Sequence, residues 1–394
     1  MNGKFRRSVT RSREGREVRS LEISTSAFSW SPDQKQVLSG GFSSCPSRLR
    51  VTPPKGSVWI PVWLLISALL LIGPWDTSLD AADAAPAAPA VKTDVTTVIV
   101  VVGAAGEEEF GKVFSEEAAR WEKVCEQAKA KHLTIGLATT GSELDHDAVQ
   151  HALEAETKDG EGELWVVFIG HGTFDGKEAK FNLRGPDLGA TELAQWLQPF
   201  HRPLAIIDTS SASAPFLNKL AGPRRVVITA TRSGFEQNYT RFGRFFSEAI
   251  GDPQGDLDKD GETSLLEAYL SASARLTEFY KTEGRLATEH PLIDDNGDGL
   301  GTPPDWFKGV RAVKKAQGGA TADGPRAQQF VLLRSPDEQK LSTAVRIQRD
   351  ELEIALVKLR DTKAKLSEDE YYRRLEELLL QIARLYETPA TPAS

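Results

Sequence analysis

Residues 164–172 read Leu164-Trp-Val-Val-Phe-Ile-Gly-His-Gly172, and this stretch decides the fold. Six apolar residues without alternation suit a strand buried on both faces of a parallel sheet. The run stops at Gly170-His171-Gly172, where two glycines allow a tight turn and leave one imidazole at the strand's carboxyl end. Ligands and chemistry gather at that edge in open α/β sheets. A second run, Leu204-Ala-Ile-Ile207, ends in Asp208-Thr-Ser-Ser-Ala212. If the two strands are neighbours, His171 and Ser210 share one cleft.

The flanking sequence supplies the rest of such a sheet. Strands are expected at 97–102, 133–137 and 226–229. Helices are expected from Ser115, as cap, to about Lys131, and at 145–156, 191–197, 214–220 and 241–250. Strands separated by helices imply right-handed crossovers and a parallel sheet with helices on both faces, an α/β fold. The turn Gly103-Ala-Ala-Gly106 lacks a phosphate-binding signature, and three glutamates follow it.

Charge and hydropathy divide the chain further. Residues 1–55 hold 11 Lys/Arg against 4 Asp/Glu, a net of +7, which leaves −15 on the remainder. An acidic body argues against nucleic-acid binding. Residues 1–55 read as a disordered basic leader, too long for a signal's n-region; a start codon called too early would explain it. Residues 56–90 hold the apolar run 58–72, small-residue sites near Ala84 and Ala87, and an Ala/Pro linker. They read as a signal peptide or a membrane anchor, with the body secreted, periplasmic or tethered outside the cytoplasm and the membrane touched only there. Two cysteines, Cys45 and Cys125, make no disulfide framework.

Beyond residue 250 the chain turns acidic. Asp256-Leu-Asp-Lys-Asp-Gly-Glu-Thr-Ser-Leu-Leu-Glu267 follows the twelve-residue calcium loop. Asp256, Asp258, Asp260, Glu262 and Ser264 offer oxygens, Gly261 permits the turn, and Glu267 closes it. Asp294, Asn296 and Asp298 start a second such loop whose twelfth position, Asp305, is a poorer ligand. Either each loop binds calcium, or the two share one ion, or they are acidic turns. Residues 251–315 are taken as this extension, 316–335 as a linker, and 336–388 as a helical hairpin whose second helix opens on a Ser367/Glu370 capping box. The hairpin packs on the sheet or pairs with another chain.

The segments Phe168-Ile-Gly-His-Gly172 and Ile206-Ile-Asp-Thr-Ser-Ser-Ala212 resemble those of the cysteine-peptidase clan that unites caspases, legumain-type hemoglobinases and their bacterial relatives. The resemblance spans roughly residues 96–250 and implies a caspase-hemoglobinase-like parallel sheet for a domain at 91–250. It puts the family's catalytic histidine on His171, an oxyanion-type amide at Gly172, and the nucleophilic cysteine on Ser210. It places Arg232, Glu236 and Asn238 where clan members line the primary specificity pocket. A serine needs a base that removes its proton during attack, which a thiolate does not. The expectation is a catalytically impaired peptidase-like domain that binds a peptide or protein. The alternatives are a hydrolase with Ser210 as nucleophile and His171 as base, and a scaffold acting through its hairpin.

Overall fold

The computed structural model describes residues 95–137 and 143–387. The expected leader, apolar run, Ala/Pro linker and Cys45 lie outside the described residues. Among those described, no helix is long and apolar enough to cross a membrane.

In chain order the first elements are β1 (Thr97–Val102), α1 (Glu108–Ala128), β2 (Lys131–Ile135), α2 (Asp145–Ala155) and β3 (Leu164–Ile169). Three short strands follow: β4 (Gly172–Phe174), β5 (Ala179–Phe181) and β6 (Leu188–Gly189). Next come α3 (Ala190–Leu197), β7 (Leu204–Asp208), α4 (Ala214–Leu220), β8 (Arg225–Thr229) and α5 (Phe242–Ala249). The chain goes on through α6 (Leu265–Thr282), β9 (Leu292–Asp294), α7 (Thr343–Asp361) and α8 (Glu368–Glu387).

The main sheet runs β2-β1-β3-β7-β8-β9, with β9 antiparallel to β8 and the other pairs parallel. Successive residues of one strand enter opposite cores, because side chains alternate faces along a strand. Val98, Val100, Val102, Trp165 and Val167 meet α1, α5 and α6, whereas Ile99, Val101, Val166 and Phe168 meet α2, α3 and α4. That two-sided burial is why the strands read as unbroken apolar runs. At ~1.5–3 kcal/mol for each fully buried aliphatic side chain, these strands supply the fold's main driving force. β2 lies at the edge with Lys131 and Leu133 exposed, and the Lys131 charge discourages pairing with another chain.

Several boundaries differ from the sequence reading. α1 begins at Glu108, seven residues before Ser115, whose hydroxyl donates to the Gly111 carbonyl at 2.7 Å. The first turn carries Glu108 and Glu109, and these favour the helix's positive end without a hydroxyl cap. β2 starts two residues earlier than expected. The region expected as an acidic extension belongs to the same core: Leu265, Leu266, Tyr269 and Ala272 of α6 are fully buried, and β9 joins the main sheet. The expected linker 316–335 also packs, with Phe330, Val331 and Leu332 buried and the Leu265 amide donating to the Phe330 carbonyl at 2.8 Å. Its Gly/Ala-rich opening hid the apolar triplet that follows. α7 and α8 form the expected helical hairpin, with Leu356, Leu359 and Tyr371 buried. Only half of the second capping box is present, because the Glu370 carboxylate pairs with Arg373 and Arg374.

One residue on the buried face of α1 breaks the apolar pattern. Glu117 is 3% exposed, and burial pushes its carboxyl up to about 8. A carboxyl raised in the fold contributes stability that is complete below its unfolded value and lost as pH climbs through the folded one. Thermal unfolding from about pH 5 to about pH 9 should therefore show Glu117→Gln gaining on the wild type as pH rises. A constant difference across that range would mean that Glu117 does not titrate in the fold.

Candidate functional site

β3 and β7 are adjacent, with Phe168 opposite Asp208 in a parallel register. His171 and Ser210 therefore follow neighbouring strand ends. β3 does not simply stop there: Gly172 opens the small antiparallel sheet β4-β5-β6 and pairs with Phe181. The Gly103-to-Gly106 turn closes the same edge. Its Gly103 and Ala104 amides donate to the Ile169 and Asn182 carbonyls, so they are not offered to a phosphate.

His171 sits half-buried in an aromatic enclosure. Phe110 and Phe114 of α1 meet its ring edge-on at 4.8 and 5.2 Å, and Tyr239 lies at 6.0 Å. Burial lowers the imidazole below its usual value, and a hydrogen bond to the Ala105 backbone only partly opposes this. The ring is thus neutral at pH 7 and held by a carbonyl rather than a carboxylate.

Ser210 is bonded elsewhere. It is fully buried, its hydroxyl donates to Asp208 Oδ1 at 2.6 Å, and its amide donates to the same oxygen at 3.0 Å. Among the described residues no hydrogen bond joins Ser210 to His171. Asp208 is 0% exposed, its Oδ2 has no hydrogen-bond partner, and burial pushes it up to about 7. The Gly172 amide, expected as an oxyanion donor, gives its proton to Ser211 Oγ at 3.2 Å, and Ser211 Oγ donates to the Gly172 carbonyl at 3.1 Å. A side chain at Gly172 would fall 2.2 Å from the Ser211 carbonyl oxygen. Gly172 is needed for this close approach.

Neighbouring hydroxyls are similarly engaged. Thr209 donates to the Phe168 carbonyl at 2.7 Å, and Thr240 donates to the Thr209 carbonyl at 2.6 Å. Ser213 and Thr231 bond each other at 3.2 Å. Thr209, Ser210, Ser211 and Ser213 are all buried. These hydroxyls satisfy backbone groups where two strands end in a water-free interior.

On the rim, Arg232 and Glu236 come together at 3.3 Å, and the Arg232 amide also donates to Glu236. His290 completes this cluster at 2.7 Å from Glu236, a residue the sequence reading did not select. The Glu236 carbonyl accepts from the amide of Ala212, which ties the rim to the Ser210 turn. Asn238 is exposed and takes no part. Phe110, Phe114 and Tyr239 were likewise missed; the only signal for the first two was their four-residue helical spacing.

The acidic loops divide. Carboxylate oxygens of Asp256, Asp258 and Asp260 lie within 4.8 Å of one another, and Gly261 adopts φ 91° to turn the loop. Burial, with Glu267 and Asp260 nearby, pushes Asp258 up to about 6. Glu267 serves both the loop and the helix: its Oε1 accepts from the Leu257 amide at 2.7 Å, and its Oε2 accepts from the Ser264 amide and hydroxyl in the capping box of α6, while Glu262 accepts from the Ser335 amide. In the second loop Asp294 accepts from Gly297 and Gly299, Asn296 from Asp298, and Asp298 from Leu300 and Ala320. Asp323, not Asp305, reaches back to this loop, accepting from the Asp295 and Asn296 amides.

No family model matches the chain, and no curated protein matches it. Solved structures do. The Drosophila initiator caspase Dronc is 12% identical, with 51% of this chain and 80% of that chain covered at a TM-score of 0.35. Caspase-1 from Spodoptera frugiperda is 11% identical, covering 52% and 87% at 0.34. Protein GSU0716 from Geobacter sulfurreducens is also 11% identical, covering 52% and 96% at 0.34. Likenesses this distant carry no argument about activity, which has to come from the side chains at the strand ends.

Proposed function

We propose that the chain is a peptidase-like domain with an impaired catalytic centre. It binds a peptide or protein partner along the edge between His171 and the Arg232–Glu236 rim, in an extracytoplasmic compartment. The observation that carries this reading is the commitment of Ser210. Its hydroxyl is buried and bonded to Asp208, while the neutral His171 ring is held by the Ala105 carbonyl. A serine nucleophile requires its base within hydrogen-bond reach. The bond to Asp208 also bears on the hydrolase reading, since a carboxyl pushed up to about 7 beside a hydroxyl is a proton acceptor near neutrality.

Treating the full-length protein with a fluorophosphonate probe separates the two. The impaired reading expects no labelling. It also expects Ser210→Cys to leave cleavage of a fluorescent casein at background, because a thiol buried against the Asp208 carboxyl and not bonded to His171 stays protonated. Labelling of wild type that disappears in both Ser210→Ala and His171→Ala would establish the hydrolase and discard the impaired reading.

Calcium is proposed as a structural ligand of the first acidic loop. Asp256, Asp258 and Asp260 form a hard, all-oxygen donor set of the kind this ion takes. Bound there, it would offset the mutual repulsion of the carboxylates. At a hundredfold excess over Kd, calcium should stabilise the fold by ~2.7 kcal/mol, a rise of roughly 4–5 °C in Tm for a domain of this size. The rise should vanish in Asp258→Asn/Asp260→Asn. A Tm unmoved by EDTA or added calcium would remove the loop from consideration as a site.

A further inference from the structure

The outer helix of the hairpin carries more apolar surface than its packing on α7 uses. Tyr371, Leu375, Leu378, Ile382 and Leu385 of α8 recur at three- and four-residue spacing and are buried or half-buried where the two hairpin helices pack. A second set lies outside that seam. Tyr372, Leu379 and Tyr386 recur every seven residues, with Leu380 beside them, and are 50%, 48%, 54% and 50% exposed in that order. A seven-residue interval returns to nearly the same face after two turns, so these side chains form one band along a helix about 30 Å long. Large apolar side chains gathered in a surface band mark an interaction face.

The charges beside the band are ordered about its centre. At about 3.6 residues per turn, Arg373, Glu376, Arg384 and Glu387 all fall on the Leu380 side of the band, and all four are exposed. Glu376 lies four residues before Leu380 and Arg384 four after it, while Arg373 lies seven before and Glu387 seven after. Each equidistant pair joins opposite signs. Two copies of α8 laid antiparallel with Leu380 at the two-fold axis therefore set Glu376 opposite the second copy's Arg384, and Arg373 opposite its Glu387. A parallel pair would set each charge against its own kind. The other charges of this stretch, Arg374 and Glu377, line the groove that α8 shares with Lys358 and Leu359 of α7. Arg373 also pairs with Glu370 at 2.9 Å and Glu377 at 3.8 Å in its own helix, and a guanidinium with five donors on a 62% exposed side chain accommodates a further carboxylate.

We infer that the protein self-associates through α8, two copies lying antiparallel about Leu380 with the band of Tyr372, Leu379 and Tyr386 buried between them. An isologous contact requires a surface complementary to itself, and the charge order about Leu380 has that property. The apolar band supplies the affinity. The flanking charges, which add little stability as exposed pairs, set direction and register. One helix from each copy makes a small interface, so the dimer is reversible and its population depends on concentration. This surface shares no residue with the proposed cleft or the acidic loop, so either reading can fail without the other.

Sedimentation equilibrium of the full-length protein from about 1 to about 100 μM tests the inference. A monomer–dimer equilibrium is expected. Leu379→Glu/Leu380→Glu changes two side chains already half exposed in the single chain, and should weaken association about tenfold or more while leaving the circular dichroism spectrum unchanged. Glu376→Arg alone and Arg384→Glu alone should each weaken it, because like charges then face each other across the axis. Glu376→Arg/Arg384→Glu exchanges the signs and should restore association to near the wild-type constant. A monomer throughout the concentration range would overturn the inference. So would a dimer that survives Leu379→Glu/Leu380→Glu, or an exchanged double variant that associates no better than either single one.

Discussion

A parallel sheet covered on both faces has a problem at its carboxyl edge. The last peptide groups of each strand leave the ladder where there is no water to receive them, and every such group needs a partner. In this chain short hydroxyl side chains answer that need. Thr209, Ser211, Ser213, Thr231 and Thr240 each bond a backbone group or another hydroxyl at the ends of β3, β7 and β8. Ser210 belongs to that network through Asp208. The same burial that stabilises the edge withdraws the serine from solvent and commits its hydroxyl to Asp208. Chemistry and stability compete here for the same few atoms, and in this arrangement stability takes them.

The parts of the fold that rest on two-sided burial were legible in the sequence. An unbroken apolar run such as 164–169 has one good home, and the adjacency of β3 and β7 follows from the order in which such runs occur. What escaped reading was structure stabilised at a distance. β4 to β6 are two or three residues each, too short for a period, and exist because Gly170 and Gly103 let Phe181 pack closely beneath the main sheet. β9 is a three-residue edge strand contributed from beyond α6, inside what reads as an acidic loop. Phe330-Val-Leu332 reads as the end of a linker until α6 provides a surface to bury it.

The candidate site was legible only as a set of positions. His171, Gly172, Ser210, Arg232 and Glu236 do gather at one edge, but the roles their spacing suggests depend on rotamers that spacing does not encode. Whether a serine two residues after an aspartate points to a cleft or back to that aspartate is decided by the Asp208 carboxyl. Buried at the strand end, it needs a donor, and Ser210 is the nearest. His290 shows the complementary failure. It lies 54 residues beyond Glu236, so only the tertiary fold brings the two together.

The two edges of the sheet end up with opposite polar character. At the carboxyl edge neutral hydroxyls dominate and one carboxyl, Asp208, lacks a full complement of donors. At the amino edge the polar groups are charged, and α7 is tied down by polar contacts such as Gln329 to the Asp350 carbonyl, with Arg349 joined to Glu338 of the preceding turn. The only buried apolar residues of α7 are Leu356 and Leu359, near its end. A helix attached in that way gains little from the hydrophobic effect along most of its length, and its position depends on charges remaining matched.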